Sequence, residues 1–316
     1  MKVRIPEGGR HEAKIHLRGY RRITVPRRHA RTVSWPDVNT FLSRFDAMAD
    51  KAAAQVIAQY STSFSLAVRT LPNPERTHIR NLYAVVRIAD EIVDGTTTQA
   101  NECSETALDL YEEQVLHAPA HRFHTDPVLH AWARTYRECH LNQDHIRAFF
   151  ASMRADLTQT TFTQQQLDTY IYGSAEVIGL MCLDIFLRGR DTPHRRELEE
   201  GARALGSAFQ KVNFLRDLGE DSRALGRAYF GATLDDDLKS TLTSQITDEL
   251  DRARKAIPLL PPAARGGVAA AEALFRELNA RIAATPASEL QTTRVSVPNH
   301  LKVALTAKAL ANTRKP

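Results

Sequence analysis

From Phe41 onward the chain reads as helix almost without interruption, and this narrows the accessible folds more than any other feature. Leu42, Phe45, Met48 and Ala52 recur at steps of three and four residues, the spacing of one face of an α-helix. Breaks are expected at Pro72-Asn73-Pro74, Gly95 to Thr98, Pro119, Asp126-Pro127, Gly189 to Pro193, Gly226 to Gly231, Pro258 to Pro262 and Gly266-Gly267. The segments between them have ordinary helical lengths or more. No alternating strand pattern and no repeat of fixed period occurs, so the fold class is all-α. Residues 1–35, with Pro6, Gly8, Gly9, Gly19 and Pro26, read as a flexible basic arm, and residues 36–316 as one helical domain.

The charge is unevenly placed. Residues 1–34 hold ten Lys and Arg against Glu7 and Glu12, a net of +8, whereas the whole chain carries +5, so the remaining body is mildly acidic at −3. A hydrophobic content of 43% is enough to bury a sizeable core, and aromatics at only 7% suit helices better than sheets. Cys103, Cys139 and Cys182 are odd in number and far apart, which argues against a disulfide framework and for a reducing compartment. No run approaches the roughly 18 apolar residues of a membrane span, the best, Val177 to Leu183, stopping at Asp184. The arm lacks the apolar centre of a secretory signal, and its single serine, Ser34, argues against an organelle transit peptide. The expected location is cytoplasmic, with peripheral contact to anionic membrane through the arm. No aromatic and basic interleaving supports nucleic-acid binding. His117, His121 and His124 read as a solvated cluster, since neither Cys nor carboxylate completes a metal motif.

The segment from Asn81 to Gly95 carries the chemistry. Ile79, Leu82, Val86, Ala89 and Val93 make one helical stripe, and Tyr83, Arg87, Asp90 and Asp94, stepping by four, three and four, make a second beside it. Two carboxylates one turn apart at the border of a buried face repel each other and are costly to desolvate. A lone pair of this kind would be read as a solvated face, with Arg87 supporting the helix through Glu91. A second copy changes that reading: Gln210, Asn213, Asp217 and Asp221 step by three, four and four on another amphipathic segment, flanked by Arg216 and Glu220. Two helices presenting aspartate pairs to one cavity can share hard divalent cations, and Mg²⁺ suits such oxygen donors because it keeps waters and bridges to phosphates. The task implied is to hold a diphosphate leaving group and neutralise its growing charge, with Arg87, Arg216 and Arg227 pairing directly to phosphate oxygens.

In these segments the chain resembles the squalene/phytoene synthase family. Tyr60-Ser-Thr-Ser-Phe-Ser65 resembles its N-terminal motif, Tyr83 to Asp94 its first aspartate-rich motif and Gln210 to Tyr229 its second. Tyr170 to Met181 resembles its tunnel-lining helix, and Arg294-Val-Ser-Val-Pro298 its C-terminal signature. Together these span about residues 40–305. The resemblance implies an all-α prenyltransferase fold with a central cavity that condenses two allylic isoprenoid diphosphates head to head. Asp90, Asp94, Asn213, Asp217 and Asp221 would then hold Mg²⁺, with Mn²⁺ able to stand in. Tyr60, Ser61, Thr62, Ser63, Phe64, Tyr83, Arg87, Gln210, Arg216, Arg227 and Tyr229 would contact diphosphate or shape the reacting centre. One substrate ionises to an allylic cation, a cyclopropylcarbinyl diphosphate forms, and a second ionisation and rearrangement give the linear product inside a pocket that excludes water.

Two positions depart from the family pattern. Glu176 stands where relatives have a small residue, and it either faces away from the tunnel or narrows it. Ser288 stands roughly where relatives carry a tyrosine. The leading expectation is phytoene from two C20 diphosphates. The rivals are the same chemistry on C15 diphosphates, giving squalene, dehydrosqualene or presqualene diphosphate, and a non-catalytic relative serving in membrane-associated assembly. The stretch from Leu301 to Pro316 is too short and charged for an anchor, and no GxGxxG fingerprint occurs, so no NADPH is expected.

Overall fold

A computed structural model describes residues 40–224 and 234–313, apart from the side chains of Ser63 and of residues 220–224. The assigned arm, residues 1–35, lies outside the described residues. Helices run in the order α1 (Phe41–Tyr60), α2 (Thr62–Arg69), α3 (Glu75–Val93), α4 (Thr96–Gln99) and α5 (Ser104–His117). They continue with α6 (Pro127–Cys139), α7 (Gln143–Thr158), α8 (Gln164–Ile171) and, after a π-helical turn at Tyr172–Glu176, α9 (Val177–Leu187). The last five are α10 (Arg195–Ala224), α11 (Asp236–Ala256), α12 (Pro262–Ala284), α13 (Ala287–Leu290) and α14 (Asn299–Thr313). No strand occurs among the described residues.

Local sequence sets the boundaries. Thr40 caps α1 by accepting from the Ser43 amide at 3.1 Å, and Asp126 caps α6 with Pro127 pre-set at the first helical position. Thr163 and Gln166 form a reciprocal capping box at the start of α8. α3 ends where Gly95 turns to φ 112°, a backbone state that a Cβ would oppose. The expected break at Gly266-Gly267 is absent, because both glycines sit inside a continuous α12. Their role is close packing: a Cβ on Gly267 would stand 2.4 Å from Leu71 Cδ2, and one on Gly266 2.7 Å from Leu310 Cδ2.

Among the described residues the apolar core falls into two large clusters and two small ones. One joins α1, α3, α5, α6, α7 and α9 around Trp132, Phe149 and Phe150, which are fully buried and contribute about 1.5–3 kcal/mol each or somewhat more. The second joins α10 to α11, α12 and α13 through Val212, Leu215, Ile246, Leu250 and Ile282. The seam at α9 and α10 is backbone against backbone. A Cβ on Gly179 would fall 2.3 Å from the Ala202 carbonyl oxygen, and one on Gly206 would fall 2.4 Å from that of Ala175. The stretch Gln164–Leu187 is long and apolar enough to cross a membrane, contrary to the sequence expectation, because helix continues through the π turn. Its most apolar window is 67% buried inside the fold, so it serves here as a core element.

Candidate active site

A cavity of about 830 Å³ lies among α2, α3, α7, the π turn with α9, α10, α11, α12 and the segment 294–302. Both aspartate-bearing helices line it. α3 contributes Tyr83, Arg87 and Asp90, with Asp94 at its C-cap, and their spacing turns them away from the buried face of Leu82, Val85 and Ala89. α10 contributes Gln210, Asn213, Arg216 and Asp217. Tyr60, Ser61, Thr62 and Phe64 line the same space from the α1–α2 junction, where Ser61 caps α2 by accepting from the Phe64 amide at 3.2 Å. Ser63 is on α2 and position 221 falls one turn beyond Asp217 on α10, but the side chains of Ser63 and Asp221 are outside the description. Arg227 and Tyr229 also lie outside the described residues.

The α3 segment brings three charged side chains to the lining. Arg87 pairs with Glu91, stands 3.9 Å from Asp90 and 4.0 Å from Asp94, and lies over the Tyr60 ring at 4.4 Å. The bland reading of Arg87 as a partner of Glu91 is therefore correct but incomplete. The Asp90 carboxyl is pushed up to about 8, first by burial and then by Asp94 and Asp156, against the pull of Arg87. Asp90 keeps a third of its side chain accessible, and that surface opens onto the cavity. Burial likewise pushes the Tyr83 phenol up to about 12, and the Phe64 ring lies 5.7 Å from its own.

On α10, Asp217 accepts from Arg216 Nε at 2.9 Å and pairs with Arg294 Nε at 2.9 Å. Sequence reasoning placed Arg294 in a signature without a role, and the structure brings it to the second aspartate motif. Two further lining residues escaped it altogether. Asp156, near the end of α7, accepts from the Tyr170 phenol at 2.9 Å, and Lys302 donates to Thr62 Oγ1 at 3.1 Å. Among the described residues, no three His, Cys, Asp or Glu side chains converge as a ready-made metal cluster.

The rest of the lining is largely apolar, with Val68, Leu71, Ile178, Leu183, Phe186 and Leu260 among its members. Leu183 and Phe186 thus face the cavity, whereas Met181 is ordinary core. Glu176 is not among the lining residues. It accepts from Arg203 Nε at 2.6 Å on the other side of the π turn. Ser288 is exposed on α13 and also absent from the lining.

The squalene/phytoene synthase family model matches residues 57–300. A phytoene synthase of Arthrospira platensis is 34% identical over 184 residues, covering 55% of this chain and 58% of its own length. A 4,4'-diapophytoene synthase of Staphylococcus haemolyticus is 31% identical over 201 residues, covering 63% of this chain and 66% of its own. The chain therefore spans less than two thirds of either relative. A 15-cis-phytoene synthase of Synechococcus elongatus is 29% identical over 253 residues, covering 71% and 80%. A crystallised dehydrosqualene synthase superposes with a TM-score of 0.71 at 23% identity, covering 86% of this chain and 98% of that one. A squalene synthase from Alicyclobacillus acidocaldarius gives 0.64 at 24%, covering 76% and 94%. These two share the helical fold of isoprenoid synthases with this protein. Both aspartate-bearing helices, the π turn and the C-terminal signature lie within the matched range, and the chain belongs to the squalene/phytoene synthase family.

Proposed function

We propose that this chain is a phytoene synthase, which joins two C20 geranylgeranyl diphosphates head to head, through prephytoene diphosphate, to phytoene, with Mg²⁺ and without NADPH. The observation that carries the reading is a single cavity whose lining combines two aspartate-bearing helices with a long apolar surface. Its volume of about 830 Å³ is near the top of the roughly 300–1,000 Å³ of small-molecule pockets, as two long hydrocarbon tails require.

The donor set fits Mg²⁺. Asp90, Asp94, Asn213 and Asp217 offer hard oxygen atoms, with Asp221 next along α10. Burial first, and then Asp94 and Asp156, push Asp90 up against the pull of Arg87, and a dication bound there would favour its charged form. When bound, the metal would withdraw charge from the departing diphosphate. Arg87, Lys302 and Arg294 supply positive charge to the same cavity, and Arg216 and Arg294 both pair with the Asp217 carboxylate. Tyr83, with its phenol pushed up to about 12, stays protonated at neutral pH and can donate to a phosphate oxygen. The apolar lining keeps water from the allylic cations. The final proton can leave to a tyrosine oxygen or to released diphosphate, so no hydride donor is called for.

Glu176 pairs with Arg203 away from the lining, which removes the one residue that threatened to shorten the tunnel. The names of two of the relatives above, both phytoene synthases, favour C20 substrates. The diapophytoene synthase at 31% identity favours a second reading, the same chemistry on C15 diphosphates. Chromatography of hydrocarbon made from C20 and from C15 diphosphate separately, with Mg²⁺ and no NADPH, decides between them. A C40 triene from the C20 reaction is expected, and turnover confined to C15 overturns the proposal. The same reading makes the protein cytoplasmic, with residues 1–34 and their net +8 drawing it to anionic membrane.

A further inference from the structure

The cavity has two unlike ends. At the aspartate end its lining reaches solvent, with 33% of the Asp90 side chain, 36% of that of Asp94 and 60% of that of Arg294 exposed. At the other end it is lined by Ile79, Phe186, Leu198 and Leu260, none of them more than 7% exposed. All four pack into the core that holds Trp132, Phe149 and Phe150. Their places in the chain agree: Ile79 is near the start of α3, Phe186 in the last turn of α9, Leu198 in the first turn of α10 and Leu260 just past α11. Gly179 faces Ala202 and Gly206 faces Ala175, so α9 and α10 run antiparallel and Phe186 comes down to the level where α10 begins. A helical side chain tilts toward the N-terminus of its own helix, which leans the Phe186 ring back into the cavity.

The depth of this blind end can be set against the length of a hydrocarbon tail. From Asn213 down to Leu198 the α10 wall runs about 22 Å, at about 1.5 Å per residue. An extended carbon chain advances about 1.2 Å per bond, a third of the roughly 3.5 Å spanned by an extended peptide residue. A C20 prenyl tail, with about 16 carbons along its main chain, is then about 19 Å long, a C15 tail about 14 Å and a C25 tail about 24 Å. The C20 tail reaches the blind end with room for its link to the diphosphate. The C15 tail stops short of it, and the C25 tail overruns it. We propose that Phe186, Leu198 and Leu260 form a floor that sets substrate length, admitting a tail of 20 carbons and turning away one of 25. This rests on the reading of the cavity as a site for prenyl diphosphates.

The test uses the full-length protein with Mg²⁺ and, as probes, C15, C20 and C25 prenyl thiolodiphosphates, whose bridging sulfur keeps the tail from leaving. Calorimetry reads their affinities, and turnover of the ordinary diphosphates is measured separately. The wild type is expected to bind the C20 probe at least about tenfold more tightly than the C25 probe, because overpacking a closed end is costly. Phe186→Ala and Leu198→Ala should each narrow that gap about tenfold, and leave the affinity for C15, whose tail does not touch the floor, within about twofold. Phe186→Leu, a milder trim, should move the gap in the same direction. Leu250→Ala removes the same atoms from a buried site off the lining, so it should lower the melting temperature and keep the gap. If the affinities follow this pattern but no hydrocarbon forms from C20 diphosphate, the floor stands and the proposed activity falls. If C20 diphosphate does give its hydrocarbon, the activity stands. The floor is then overturned by a wild type that binds C25 as tightly as C20, or by trimmed variants that keep the wild-type gap. An equal loss of affinity for all three probes in the trimmed variants overturns it as well.

Discussion

Arg294 Nε stands 2.9 Å from Asp217 Oδ1, joining the C-terminal signature to the second aspartate motif. On the function proposed above, a cation reaching Asp217 would have to compete with this guanidinium or share the carboxylate with it. Arg294→Gln should therefore weaken the capture of diphosphate more than the fold. We expect kcat/KM to fall by about 10–100-fold, with helical content by circular dichroism unchanged. A variant with normal kinetics would show that Asp217 needs no such partner.

Asp90→Asn and Asp217→Asn should each remove most turnover, on the order of 10²-fold or more, if oxygen donors from both helices act in ionisation. Melting should hardly move in Asp90→Asn, because the carboxyl it replaces is already disfavoured in its charged form by burial. Mg²⁺-dependent diphosphate release measured side by side reads both variants, and near-normal release in either one contradicts the shared-metal reading.

His78 gives the fold an acid-sensitive point away from the cavity. It is buried, with Nδ1 3.0 Å from Thr135 Oγ1 and Nε2 3.4 Å from the Glu138 carboxylate. Burial outweighs Glu138 and holds its pKa below 6.5. The unfolded chain therefore takes up the proton first as pH falls through 6.5, and stability declines below that point until the folded pKa is reached. Urea melts of His78→Gln between pH 7 and pH 5 should show a shallower decline than the wild type. Parallel declines would mean that His78 is not the group responsible.

The Glu176–Arg203 pair should matter little for product length. Arg203 is half exposed, so Glu176→Gln is expected to cost at most about 1 kcal/mol in denaturant unfolding. The hydrocarbon made should keep its chain length. A shift to a different length would mean that Glu176 reaches the tunnel after all.

Much of this site was legible because its main groups repeat at helical spacing. Asp90 with Asp94, and Asn213 with Asp217, could be placed on common faces from their intervals alone, and the structure puts both faces on one cavity. Asp156 and Lys302 were not legible, since each is a single charge on a helix with no partner at i+3 or i+4 to mark a face. They become site residues only when α7 and α14 are brought to the lining. Glu176 could not be oriented because the π turn inserts an extra residue per turn and rotates everything before it relative to α9. Gly266-Gly267 misled for a different reason: a glycine pair that loosens an isolated helix can equally admit a neighbour, and here Leu71 and Leu310 fill the space.

The reciprocal glycines of α9 and α10 have a consequence for how such an enzyme could change its product. Where Gly179 meets Ala202 and Gly206 meets Ala175, main chain is pressed on main chain, with no room for a side chain at either glycine. Drift in substrate length has no gradual route through that seam, because any added carbon there collides with a carbonyl. Adaptation must be confined to the replaceable apolar side chains elsewhere on the lining, such as Val68, Leu71 and Phe186. A library that randomises those three while fixing the glycines would search the part of the chamber that can evolve.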